Sequence, residues 1–160
     1  MDAVDMLVRQ HREMERAMER VLKEGEENPA ALFAEVADHL TTHIASEEEI
    51  FYPAVREKRT EDILLESLEE HLSLKRLLAD LLELDPGEKT FEPKFKVLKE
   101  QAEHHHKEEE ENLFPKVKKI LDGAHREKLG QEMLALQQRM EKRGEPRETV
   151  ASQTDAAAPL

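Results

Sequence analysis

Two short stretches carry side chains suited to chemistry, His43-Ile44-Ala45-Ser46-Glu47 and His105-His106-Lys107-Glu108-Glu109. In each, an imidazole and a carboxylate stand four residues apart. On a helix that spacing puts them on one face, about 6 Å apart along the axis. Two further imidazoles, His11 and His71, occupy apolar stripes where Leu or Val would otherwise serve. A lone His on an apolar face is most simply a hydrogen-bonded core residue. Here the polar residues recur in register. A shift of 60 residues lays His11 on His71, Val4 on Leu64, Met14 on Leu74, Arg16 on Arg76, Met18 on Leu78 and Leu22 on Leu82. A shift of 62 lays His43 on His105, Glu47 on Glu109, Val36 on Leu98, Phe51 on Leu113, Pro53 on Pro115 and Val55 on Val117. A helical pair has been duplicated together with its polar core residues. Burying such groups without partners is expensive, and neither glutamate has a Lys or Arg at its level on its own stripe. Cations are the compensation this pattern asks for. Two carboxylates bridging two metal ions, with imidazoles outside, would satisfy every group. Mixed nitrogen and oxygen ligation suits iron or manganese, while raw affinity favours zinc or copper.

Helices must position these residues, and the chain is built for helices. It has 160 residues, only 5 Gly and 4% aromatics, and it is rich in Glu, Leu, Lys and Arg. Apolar residues recur at helical spacing over four long segments. The first runs from about Asp2 to Glu24 and stops at Gly25, with Asn28-Pro29 restarting the chain. The second covers about Ala30 to Lys58 and is interrupted late by Pro53. The third starts after Thr60 and ends at Asp85-Pro86-Gly87. The fourth runs from near Pro93 to Leu121, where Asp122-Gly123 stops it. The expectation is an all-α, up-down-up-down four-helix bundle over residues 1–123. An additional helix over 124–143, about His125 to Arg143, packs beside it. Residues 144–160, rich in Pro, Glu, Thr, Ser and Ala, read as a disordered tail.

The pattern H…HxxxE…H…HxxxE, with a Pro six residues after each Glu, closely resembles the hemerythrin-like family, or HHE cation-binding domain. It is met by His11, His43 with Glu47 and Pro53, His71, and His105 with Glu109 and Pro115. The resemblance spans about residues 5–121. It implies two non-haem iron ions, exchangeable for manganese or zinc, with the glutamates bridging. It also implies binding or sensing of a small ligand: O2, nitric oxide or a peroxide. The chain departs from the oxygen carriers in two ways. Lys75 stands where His71 predicts a fifth His, and the last motif is HxxxE rather than HxxxxD. A coordination position is thereby left for water or for a nearby side chain. Glu15, four residues after His11, is the additional candidate. Tyr52, the only tyrosine, is off the stripe unless Pro53 distorts the helix.

The neighbouring polar residues have simpler readings. His104 and His106 lie about 100° to either side of His105 and read as surface residues, as does His125. Glu48, Glu49, Glu110 and Glu111 read as a solvated face, and Glu108 has only Ser46 as its counterpart. His39 suits a hydrogen bond that orients a ligand. Met6, Met14 and Met18 read as adaptable core packing rather than a copper site.

Composition narrows the function further. The net charge of −13 argues against nucleic acid and against an anionic membrane. The absence of Cys excludes thiolate metal sites, disulfides and a cysteine nucleophile. No basic leader and no membrane-length apolar run are present, so the expectation is a soluble, cytoplasmic protein. Two alternatives to small-ligand chemistry remain open: a metal-stabilised interaction module or iron-homeostasis protein without redox chemistry, and a metal-free acidic bundle.

Overall fold

The Asp2 carboxylate accepts from the Val4 N–H at 2.8 Å, and this cap opens α1 (Ala3–Leu22). This computed structural model describes residues 1–23 and 28–160, so the stop expected at Gly25 lies outside the described residues. Asn28, in the left-handed region at φ 54°, caps α2 (Pro29–Ser46) by accepting from the Ala31 N–H. The helix then widens into a π-helical turn, Glu47–Phe51, before a last turn α3 (Tyr52–Val55). Pro53 explains the widening. It has no N–H to donate, and its ring crowds the carbonyl four residues back. The Tyr52 N–H bonds instead to the Glu47 carbonyl, five residues behind.

After Thr60, α4 (Glu61–Leu82) forms the third bundle helix. The fourth then repeats the pattern of the second. α5 (Phe91–Glu108) widens into a π-turn, Glu109–Leu113, and continues as α6 (Phe114–Ile120), with Pro115 next to the turn. Asp122 caps α7 (Gly123–Arg143) by accepting from the His125 N–H. Gly130 of α7 faces the start of α1 so closely that a Cβ there would collide with the Met1 carbonyl. The long helices pack α1 against α2 and α5, α4 against α5, and α7 against α1 and α2. The described residues contain no strand, and none of their helices is long and apolar enough to cross a membrane.

Beyond Arg143 the structure differs from the sequence reading. Residues 144–160 are not a free tail: Pro146–Gln153 form a 3₁₀ helix that straps the bundle. Val150 joins the core beside Leu74 and Leu78. Arg147 donates to Asp38 at 2.8 Å, and Arg76 donates to the Thr154 and Asp155 carbonyls at 2.9 and 3.1 Å. The composition of this segment cannot support a core of its own. It is ordered by docking on surface the bundle supplies, which composition does not register.

The apolar residues form two cores with a gap between them. One gathers Met14, Met18, Phe33, Leu40, Leu78 and Phe95; the other gathers Leu7, Phe51, Leu64, Leu68, Leu113 and Val117. The levels between them on the four bundle helices hold the polar residues of both repeats. Val150→Ala should lower stability by about 1.5 kcal/mol, the value of two buried carbon groups. Thermal or urea unfolding would show it, and an unchanged midpoint would mean that the strap does not dock.

Candidate metal centre

All six repeated polar residues meet in the layer between the two cores, and each is at most 2% exposed. α1 brings His11, α2 His43, α4 His71 and α5 His105, while the two π-turns begin with Glu47 and Glu109. On one side, His11 Nε2 lies 3.2 Å from Glu109 Oε1 and His43 Nε2 lies 3.4 Å from Glu47 Oε1. On the other, His71 Nε2 is 3.2 Å from Glu47 Oε1 and His105 Nε2 is 3.4 Å from Glu109 Oε1. Each carboxylate therefore reaches toward an imidazole on both sides.

The opposite ring nitrogens are already engaged. His11 Nδ1 donates to Glu110 at 2.8 Å, His71 Nδ1 to Glu48 at 3.0 Å and His105 Nδ1 to Glu70 at 2.8 Å. His43 Nδ1 donates to the Gln10 amide oxygen at 2.8 Å, and Gln10 is held in turn by Gln137 of α7. With a proton on each Nδ1, each Nε2 presents a lone pair inward. Hydrogen bonds of this kind fix the orientation of metal-binding imidazoles.

The inward atoms lack such satisfaction. His11 Nε2, His43 Nε2, both Glu47 oxygens and Glu109 Oε1 are buried with no hydrogen-bond partner. His71 Nε2 and His105 Nε2 face each other at 3.1 Å, an arrangement of two lone pairs that a cation between them would relieve. Burial pushes Glu47 well above the ordinary carboxylate value, and the Glu109 charge adds to this. Burial also works to raise Glu109, but His105 helps carry it well below that value. The donor set fits divalent or trivalent cations bound by imidazole and carboxylate.

Comparison with known proteins gives the family and the fold. The sequence model of the hemerythrin HHE cation binding domain matches residues 2–117. The chain belongs to that family. A crystal structure of an HHE cation binding domain-containing protein from Mycobacterium kansasii superposes with a TM-score of 0.74 at 24% identity, over 99% of this chain and 95% of that one, and so shares the fold. A protein named DNA nickase from Nostoc sp. (strain PCC 7120 / SAG 25.82 / UTEX 2576) is 28% identical over 111 residues, 69% of this chain. The match spans only 32% of that relative's length.

Within this HHE domain several residues differ from the sequence reading. His106, read as a surface residue, is 2% exposed and groups with His11 and His43 as a third imidazole. Its place in the repeat is that of Ile44, a core residue, and that correspondence was the available signal. Glu15 does not itself join the cluster. It accepts from His106 Nδ1 at 2.9 Å and so stands outside the position it was expected to fill. Glu48 and Glu110 are not simply a solvated face, because they hold His71 and His11. Lys75 is buried and donates to Glu48 at 2.8 Å. His39 lies 4.0 Å from Glu13 rather than on a ligand.

Tyr52 joins the layer as well. The wide π-turn rotates it inward, and its hydroxyl donates to Glu109 Oε2 at 2.8 Å while lying 3.3 and 3.5 Å from His71 and His105 Nε2. Burial and the two neighbouring carboxylates raise its pKa, so the phenol keeps its proton in the metal-free protein. His104 and His125 are exposed as expected, and Glu108 is half-buried and outside the cluster. Met6, Met14 and Met18 are core residues.

The metal-free HHE domain should weaken as pH falls from 7 to 5. Burial holds His43 and His106 well below the ordinary imidazole value, and His71 and His39 below it. Unfolding at pH under about 6.5 lets all four take up protons, so their contribution is lost as pH falls. Two groups oppose this. Burial pulls His11 down, but Glu109 and Glu110 outweigh it and raise the group, whose stabilisation is present at low pH and lost as pH rises. Glu47, raised, releases a proton on unfolding above the ordinary carboxylate range. Four against two leaves net uptake, and each net proton costs about 1.4 kcal/mol per pH unit. Melting of chelator-treated protein across this range would check the sign.

Proposed function

We propose that this HHE domain holds two non-haem iron ions in the polar layer and uses them to bind or sense O2 or a related small oxidant, peroxide or nitric oxide. One observation supports this above all. Buried Nε2 and carboxylate oxygen atoms face one another without hydrogen-bond partners, while every outer ring nitrogen is engaged. His11, His43 and His106 would serve one position and His71, His105 and the Tyr52 oxygen the other, with Glu47 and Glu109 between. Bound iron would supply reversible small-ligand binding and electrons for reducing the oxidant.

The chain's own residues set the conditions for that chemistry. The apolar cores above and below exclude water from the layer. Phe114 stacks over His11 at 5.9 Å, where Tyr52 stacks over His71 at 5.4 Å in the other half. The Tyr52 hydroxyl thus gives one side of the layer a proton donor that the other side lacks. The nickase activity named for the Nostoc relative is not carried over. Most of that protein lies outside the match, and the −13 charge opposes phosphate-backbone binding.

Protein expressed with iron should carry about two irons per chain, with near-ultraviolet bands that bleach with dithionite and return in air. His105→Ala should abolish that oxidant response while circular dichroism shows the bundle intact. If His105→Ala only lowers the melting temperature and oxidants leave no spectral trace in wild type, the metal is a folding staple instead. Manganese or zinc recovered in place of iron would redirect the reading to that metal.

A further inference from the structure

The layer is buried, so metal ions need a route into it, and the surroundings of the five imidazoles differ in how they meet solvent. Glu48 and Lys75 border a cavity of about 580 Å³, Glu70 one of 370 Å³ and Gln10 one of 680 Å³. In these places the imidazole stays behind its outer partner. His106 is different: it borders a cavity of about 280 Å³ directly, and it also groups with His11 and His43 inside. That cavity is ringed by Glu15, Glu103, Glu110 and Glu111, against Arg12 and Lys107, a balance that attracts cations. Behind His106, the unpartnered Nε2 of His11 and of His43 points to what would be received.

The Arg12 side chain lines this cavity beside His106. Its Nη1 donates to Glu15 Oε1 at 2.7 Å, and its Nη2 donates to both Glu110 oxygens. These two carboxylates are the ones that hold His106 and His11 by their Nδ1 atoms. One guanidinium therefore ties together the outer supports of two inward imidazoles, and it does so from a position still 44% exposed. At the equivalent repeat position stands Leu72, and no such tie recurs there. On the other side of the layer the supporting cation is the enclosed Lys75.

We infer that Arg12 is a latch on the metal-loading route: its fork across Glu15 and Glu110 closes the path beside His106 and slows metal passage in both directions. Resting on the metal-site reading above, the latch governs the rate of loading and leaves the final content to the cluster. Freeing Glu15 and Glu110 would let His106 swing on its helix and hand an ion inward to His11 and His43. Arg12 touches no inward donor atom and is a positioning residue.

The test follows anaerobic Fe²⁺ uptake by chelator-treated protein, and release of iron from loaded protein to ferrozine. Arg12→Ala should accelerate both by about fivefold, the effect of losing a forked charge network at the surface, with the same final iron per chain and the same circular dichroism. Arg12→Lys keeps the charge but cannot span both carboxylates, and it should move with Arg12→Ala. Arg9→Ala, which removes an equal charge and its pair with Glu13 on the same helix, should load as wild type does. Equal rates in wild type and Arg12→Ala would overturn the latch and leave the metal site standing. Arg12→Lys behaving as wild type, or Arg9→Ala loading as fast as Arg12→Ala, would reduce the effect to charge alone and overturn it too. Absence of iron uptake by wild type would remove the site and the latch together.

Discussion

A layer of carboxylates and imidazole lone pairs lies between two apolar cores, and the rest of the structure is organised around making that layer tolerable. Desolvated Glu47 and Glu109 cannot both remain charged at low cost beside neutral imidazoles. Protein groups satisfy the outward nitrogen of every ring, and inside the layer only Tyr52 adds a donor, to one Glu109 oxygen. On the proposed reading the remaining inward atoms would be balanced by bound cations, which would link metal and fold thermodynamically. A bundle with Leu at these six positions would be more stable alone and would have nothing to bind.

The duplicated frame extends past the six residues. Gln10 and Glu70 support His43 and His105, and Glu48 and Glu110 support His71 and His11. These correspond under the same two shifts that align the central residues. The two sides of the layer become unlike where the copies differ. His106 replaces an apolar Ile44 equivalent, Tyr52 faces a Phe114 equivalent, and Lys75 stands opposite Glu15. One side is thus richer in imidazole and the other carries a phenol. Two positions built from one ancestral half have become chemically unequal by a few substitutions.

Both proline-linked π-turns serve the same end. Opening the helix after Glu47 and Glu109 lets each glutamate keep its i+4 relation to a histidine while the residue five further on turns inward. Tyr52 reaches the layer for that reason, and Phe114 packs over His11. Pro53 and Pro115, which recur six residues after each Glu in the sequence pattern, help shape the second wall of the site.

Much of this was legible in the residue order. The helical stripes, the repeat and the HxxxE spacing depend on local geometry, and a fixed rise and rotation per residue carries them from sequence to face. The caps at Asp2, Asn28 and Asp122 are local in the same sense. What the order of residues left undecided depends on phase changes and distant partners. Uniform helical phase leaves Tyr52 and His106 off the stripe, until a π-turn rotates one and a neighbouring helix packs close enough to bury the other. Glu48 and Glu110 look like surface charge until α4 and α1 present His71 and His11 to them. The segment after Arg143 lacks the apolar content to order itself, and only the groove beside Leu74 and Leu78 gives Val150 a place. The sequence by itself determined which groups had to be buried together. Tertiary structure decided which atoms of those groups were left facing inward, because hydrogen bonds from other helices selected one nitrogen of each ring.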